Sequence, residues 1–387
     1  MADTYTTTSH QSYGSRLGGA IKGVLVGAIL FIASFPLLFW NEGRAVNRYK
    51  ALAEGEKSVL PVDAAAIDSA NEGKLVHFSG RTVCPGVLND PDFTSVVVSN
   101  ELRLIRSVEM YQWTESSHTE KKQNVGGSED TVTTYTYRKE WKSSVVNSSN
   151  FAQPDGHINP GAFPYEKNTV LAENVTVGAF AIPTDTAATI GDDVPLSIPG
   201  TNAPAGLLRD SRGYYLPAMP RSVIGAPQVG DLRITFSHVP PTDASFVAKQ
   251  IGGTICSYPT KHGSLLLVED GIVDAASMFQ SARQANKMLT WLLRLVGFIV
   301  MLIGLNMIFR PLSVLASVLP FLGRVVGAGT GLISFLIAAI CSLVTIALAW
   351  LVYRPLISVP LLIIAVALAV VAARKLKGAK ESSHESK

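Results

Sequence analysis

Residues 325–353 read VVGAGTGLISFLIAAICSLVTIALAWLVY, 29 positions without a charge. An α-helix needs about 20 apolar residues to cross a hydrocarbon core about 30 Å thick, so this run decides the class of the protein. Three further stretches share the property. Residues 23–41 (GVLVGAILFIASFPLLFWN) come first. Residues 289–309 come next, where Arg294 can carry its guanidinium to the interface on an apolar stem. Residues 356–373 come last. The sequence therefore predicts an α-helical four-span membrane protein with a large β-rich (α+β) domain inserted between spans 1 and 2. The first run leads into Phe39-Trp40-Asn41-Glu42 and not into a small-x-small cleavage site, so it reads as a span and not as a signal peptide.

Composition agrees. Hydrophobic residues make up 47% of the chain and charged residues only 16%, against about 25% charged in an average soluble domain. That argues against a soluble cytosolic enzyme, and against disorder, which needs low hydrophobicity and high net charge. The net charge of +3 comes from the membrane segments and tails, because residues 44–288 carry more Asp and Glu than Lys and Arg. No basic stripe accompanies it, so nucleic-acid binding is not expected.

Four spans place both termini on one side. Arg374, Lys375, Lys377 and Lys380 follow the last span, and Arg16 and Lys22 precede the first. The positive-inside rule puts both tails, 1–22 and 374–387, in the cytoplasm. The domain at 42–288 then faces the lumen or periplasm, with Trp40, Trp291, Trp350 and Tyr353 as aromatic anchors at that interface. Residues 310–324 hold an apolar stretch, 311–323, too short to span. It fits a helix lying in the cytoplasmic interface, or alternatively a kinked start of span three near Val314.

Strand-like stretches rich in β-branched and aromatic residues dominate the domain: Lys74–Gly80, Glu101–Trp113, Thr131–Trp141, Asp231–His238, Phe246–Ser257 and Ser264–Glu269. A long hairpin is expected to pair Val108–Trp113 with Tyr135–Trp141. The Pro/Gly-rich stretch Ile182–Val229 reads as irregular, and Ile272, Ala276, Phe279 and Ala282 predict a helix running into span two. Cys84 and Cys256 are the domain's two cysteines, and either a bridge or two separate thiols fits them.

No catalytic motif stands out. The seven histidines lack zinc-motif spacing, no nucleophile elbow occurs, and no catalytic, cofactor-binding or metal-binding residue is assigned. Asp155-Gly156-His157-Ile158-Asn159-Pro160 is the densest polar cluster, and a turn accounts for it better than a site. The glycines have a clearer use. Gly19, Gly23 and Gly27 on span one, Gly297 and Gly304 on span two, and Gly323, Gly327 and Gly331 entering span three form flat faces where helices can approach closely. Ser342 and Thr345 continue the face on span three, and Asn306 is expected to bond a neighbouring helix. No charge lies mid-span, which counts against an ion-coupled transporter. A self-associating membrane scaffold is the first expectation. A membrane-bound enzyme or ligand or lipid sensor, with a pocket near His157 and Asp155, is the second.

Several motifs carry a family resemblance. Phe39-Trp40-Asn41-Glu42-Gly43-Arg44-Ala45, Leu52-Ala53-Glu54-Gly55 and Asn71-Glu72-Gly73-Lys74-Leu75-Val76-His77 are followed by Val108-Glu109-Met110-Tyr111-Gln112-Trp113. Then come Tyr135–Trp141, Gly156-His157-Ile158-Asn159-Pro160, Val229-Gly230-Asp231-Leu232-Arg233 and Trp350-Leu351-Val352-Tyr353-Arg354-Pro355-Leu356. In this order they resemble the LUMA (transmembrane protein 43) family over nearly the whole chain. The resemblance implies four spans, a large domain after the first and no established catalytic residues. In eukaryotes it implies the inner nuclear membrane and endoplasmic reticulum, with self-association and lamin and emerin-like partners. In bacteria it implies the cytoplasmic membrane with a periplasmic domain. The partners common to both are the lipid bilayer, other copies of the chain and membrane proteins.

Overall fold

The structure, a computed structural model, describes residues 3–198, 203–210, 213–219 and 224–355. The expected fourth span and the C-tail lie outside these residues. The chain divides into two compact units. One comprises Met1–Ser9, Ala51–Lys122 and Asp130–Ala282, and the other His10–Lys50, Gln123–Glu129 and Arg283–Lys387.

Three helices among the described residues are long and apolar enough to cross a membrane: Tyr13–Ser58, Ala275–Ala316 and Pro320–Tyr353. The first holds 46 residues. At about 1.5 Å per residue it extends about 70 Å, twice a hydrocarbon core, so helical propensity carries it well past its charge-free run. Leu25, Ile29 and Ile32 on the first helix, Leu295 and Ile299 on the second, and Leu336 and Ile340 on the third are exposed, as lipid-facing side chains should be.

The structure divides residues 311–323 differently from either sequence reading. Residues up to Ala316 extend the second helix, with Pro311 inside it. The break falls at 317–319, and Pro320 opens the third helix at its first turn. Proline cannot continue a helix but suits its first position, where the missing N–H costs nothing. On the third helix Ser334, Ala338, Ser342, Thr345 and Ala349 are buried, a stripe of small side chains at helical spacing. Ala338 joins Leu38, Met301 and Leu305 in the core of this unit.

In the β-rich unit, Leu75–Val83 pairs antiparallel with Asp243–Ile251, Phe78 opposite Phe246. Its far end pairs with Val175–Val177, which pairs with Phe180–Ile182. That strand meets Thr254–Cys256 in parallel, Ala181 beside Thr254, and Thr254–Cys256 turns back onto Asp243–Ile251. The five strands close a ring. Phe78 stacks on Phe180 at 4.1 Å and on Phe246 at 5.1 Å between ring centroids, and all three are fully buried. A second sheet of eight strands is built on Arg103–Gln123, 21 residues long, flanked by Glu129–Lys142 and Leu232–Val239. The expected hairpin is made by Arg103–Gln123 and Glu129–Lys142, extended far beyond Trp113.

Two features depart from expectation. Residues Asp3–Gln11, read as a tail, form a strand beside Glu129–Lys142, and their Thr- and Tyr-rich sequence has the β-branched and aromatic side chains that favour this. Ile182–Val229 is not wholly irregular, since Gly213–Leu216 pairs with Leu232–Val239 and Leu208–Asp210 pairs with Gly213–Leu216 in turn. Cys84 and Cys256 are separate thiols. Burial, with the Glu101 carboxylate nearby, pushes the Cys84 thiol up from its usual range, which suits a packed side chain and not a reactive one.

Candidate functional site

The polar cluster around His157 is a packed joint. The ring is 3% exposed, stacked on Tyr137 at 3.9 Å and edge-on to Trp113 at 4.7 Å. Nδ1 lies 2.9 Å from the Gln153 carbonyl and Nε2 lies 3.0 Å from Asp3. Asn159 serves the backbone. It accepts from the Trp113 N–H and donates to the Trp113 and Val146 carbonyls. Gln112 does the same for Ser144 and Val146. These side chains fix the loop after Lys142 to the long strand, so His157, Asn159 and Gln112 are all used in holding it there. Burial, with a hydrogen bond to Glu115, pushes the Tyr137 phenol up to about 12. The tyrosine is therefore a neutral donor to Glu115 at 2.7 Å.

The glycine faces sort into two kinds. A Cβ added to Gly27 would sit 2.6 Å from the Gly304 carbonyl oxygen, and one added to Gly304 would sit 2.7 Å from the Gly27 carbonyl. The first two helices meet there backbone to backbone, antiparallel. Gly297 is covered by Leu38 and Gly323 by Ser317. Gly23 and Gly327 touch their neighbours loosely, and Gly19 and Gly331 have nothing within 4 Å among the described residues. Ser342 is buried 3.5 Å from the Met301 sulfur, and Thr345 donates to the Cys341 carbonyl. Asn306 is exposed and has no partner among the described residues.

At one end of the helical unit Arg16 pairs with Glu129 at 3.2 Å and donates to Ser317 at 3.1 Å, and the Gly126 N–H donates to the Val318 carbonyl. At the other end sits a charged site that sequence reading missed. Glu42, 1% exposed, follows the first charge-free run directly. Arg294 grips it with two bonds, Nε to Oε1 at 2.6 Å and Nη2 to Oε2 at 2.8 Å, and Trp350 Nε1 donates to Oε2 at 2.8 Å. One residue from each helix thus meets at a single carboxylate. Arg294 is held by Glu42, where the sequence suggested a side chain reaching alone for water. A legible signal existed: Arg294 interrupts the second run at the depth where Glu42 ends the first. Around the pair, Asn41 donates to the Thr290 carbonyl, Arg44 to Asn286 and Thr290, and Asn286 to the Ala45 carbonyl. Beside it opens a cavity of about 360 Å³ whose lining carries Arg283, Lys287, Arg294 and Arg354 against the one carboxylate of Glu42.

Among the described residues no group of His, Cys, Asp and Glu could hold a metal ion. The model of a family described as Transmembrane protein 43 matches residues 110–355. The chain is 33% identical to Transmembrane protein 43 of Rattus norvegicus, over 91% of this chain and 89% of that protein. It is 33% identical to the Homo sapiens protein over 90% and 89%. It is 30% identical to the Drosophila melanogaster homolog over 88% and 91%. No solved structure matches.

Proposed function

The chain belongs to the transmembrane protein 43 family, and from that premise we propose that it is a non-enzymatic multi-pass scaffold. In this reading it self-associates through its helices and organises membrane structure or membrane protein complexes. The observation that carries this is the division of the glycines. Gly27 and Gly304 are used up in packing the chain on itself, whereas Gly331 and Gly329 meet no other group within 4 Å among the described residues, next to exposed Leu332 and Leu336. Close backbone approach between copies needs such a face. The packing of His157 against Tyr137 and Trp113 supports this reading over an enzymatic one. Extraction into native-lipid nanodiscs followed by mass measurement tests the scaffold. Discrete oligomers or retained membrane proteins are expected, and bare monomers would overturn it.

The finer localisation belongs to the same proposal. It is the inner nuclear membrane and endoplasmic reticulum in a eukaryotic host or the cytoplasmic membrane in a bacterium, with both termini cytoplasmic. Lamins and emerin-like proteins are partners only in the first case. The contacts of the strand at Asp3–Gln11 and of Arg16 bear directly on sidedness. A bilayer crossed by residues 23–41 would separate them from the domain strands and from Glu129. In a cysteine-free background, Ser9→Cys and Ser264→Cys are exposed reporters for an impermeant maleimide. The proposed orientation predicts labelling of the second alone from outside. Equal labelling would mean that the N-terminal pairing prevails and that the first helix does not divide the two.

A further inference from the structure

We propose that the cavity beside Glu42 binds the phosphate of an anionic phospholipid, whose acyl chains lie along the apolar helix surface next to it. The inference goes beyond the scaffold reading and does not need it, because lipid retention is read per chain whatever the oligomer.

Charge comes first. The cavity lining holds four cations and one carboxylate. Both Glu42 oxygens are already engaged, by Arg294 and by the Trp350 indole, so the carboxylate neutralises Arg294 and offers little to a ligand's ammonium group. Besides Arg294, the lining carries the cationic side chains of Arg283, Lys287 and Arg354 and, among the described residues, no second carboxylate. Arg283 and Lys287 stand four residues apart on one helix and so share a face. The cavity, at about 360 Å³, falls in the range of about 300–1,000 Å³ typical of small-ligand pockets.

Position comes second. Glu42 is the first residue after the charge-free run 23–41, and the neighbouring Trp40 and Trp291 are 57% and 60% exposed. Amphipathic indoles prefer the headgroup level, which is where lipid phosphates lie. Leu295, one turn from Trp291, and Leu292 are more than half exposed, as is Val352 beside Trp350. A basic cavity that opens onto apolar helix surface matches both halves of a phospholipid. A free phosphate would use only the polar half.

The test uses the full chain in mixed micelles, with native mass spectrometry counting bound lipid from phosphatidylglycerol, cardiolipin or phosphatidylcholine, and with inorganic phosphate and glycerol phosphate as soluble competitors. Retention of the anionic lipids over phosphatidylcholine is expected, weakening as salt rises. Lys287 is exposed, so Lys287→Gln leaves the fold intact. It should weaken anionic-lipid binding about fivefold, with Lys287→Glu weakening it further. Equal retention of all lipids, or unchanged retention in Lys287→Glu, would overturn the proposal. Displacement by inorganic phosphate at the same affinity as by lipid would overturn the lipid assignment.

Discussion

The β-rich unit is filled by its largest side chains and the helical unit by its smallest. Phe78, Phe93, Phe180, Phe246 and Tyr214 fill the first, whereas Gly27, Gly304, Ser334 and Ala338 mark the closest contacts of the second. The solvent accounts for the difference. In water, apolar area removed from solvent is the main driving force, at about 25 cal/mol per Å², and aromatic rings contribute the most area. Between helices in lipid that force is absent, and association depends on backbones coming close enough for dispersion and polar contacts to act. Both units nevertheless bury an Arg–carboxylate pair, Arg294–Glu42 in one and Arg106–Asp90 in the other.

Those two pairs give the largest expected effect. Glu42→Gln leaves Arg294 without a counter-charge and should destabilise the helical unit by about 3–5 kcal/mol, as one-sided removal of a buried pair does. Unfolding in mixed micelles would measure it. Asp90→Asn should cost less, because Arg106 keeps Asp92 at 2.5 Å and the Glu166 carbonyl. Equal losses would mean that the two environments do not differ as described. Next in size, Gly27→Leu drives a side chain into the Gly304 carbonyl and should cost about 1–3 kcal/mol by overpacking. Gly331→Leu should leave the monomer's melting temperature unchanged and alter only its oligomers. A matching loss of stability in both variants would erase the distinction between inner and outer glycine faces.

His157→Ala should destabilise the β-rich unit by about 2 kcal/mol through the lost ring contact and hydrogen bonds, read by thermal denaturation. The smallest effect is in pH. Tyr137 has its folded pKa raised from 10.0 to about 12, so the folded state holds the phenolic proton more tightly than the unfolded chain does. Its contribution is complete below about pH 10 and is lost as pH rises towards about 12. Tyr137→Phe should flatten stability against pH across that window.

The membrane class was legible because 29 uncharged positions in a row, as at 325–353, suit almost no environment but a bilayer. The far end of Tyr13–Ser58 was not, because the helix runs on past its charge-free run, where hydropathy gives no signal, whereas the start of Ala275–Ala316 was announced by the helical spacing of Ile272, Ala276, Phe279 and Ala282. Most strands could be located from β-branched content, but their order could not. The ring closes through Ala181 and Thr254, two ordinary residues 73 positions apart. The strand at Asp3–Gln11 was hidden by its polarity. The Glu42 site escaped because Arg294 and Trp350 each make sense alone, as an interfacial cation and an aromatic anchor. Only the antiparallel packing at Gly27 and Gly304 brings them to one carboxylate.

The closed ring has a consequence for life at a crowded membrane surface. Tethered copies of a protein meet one another constantly in two dimensions, and an open strand edge on each would invite runaway sheet growth from chain to chain. The core strand Leu75–Val83 is paired along one side by Asp243–Ile251 and towards its two ends on the other by Leu60–Pro61 and Val175–Val177, so it has little backbone to lend to a neighbour. Strand-to-strand growth through this ring is therefore blocked, and any contact it makes with a neighbouring copy has to be made by side chains.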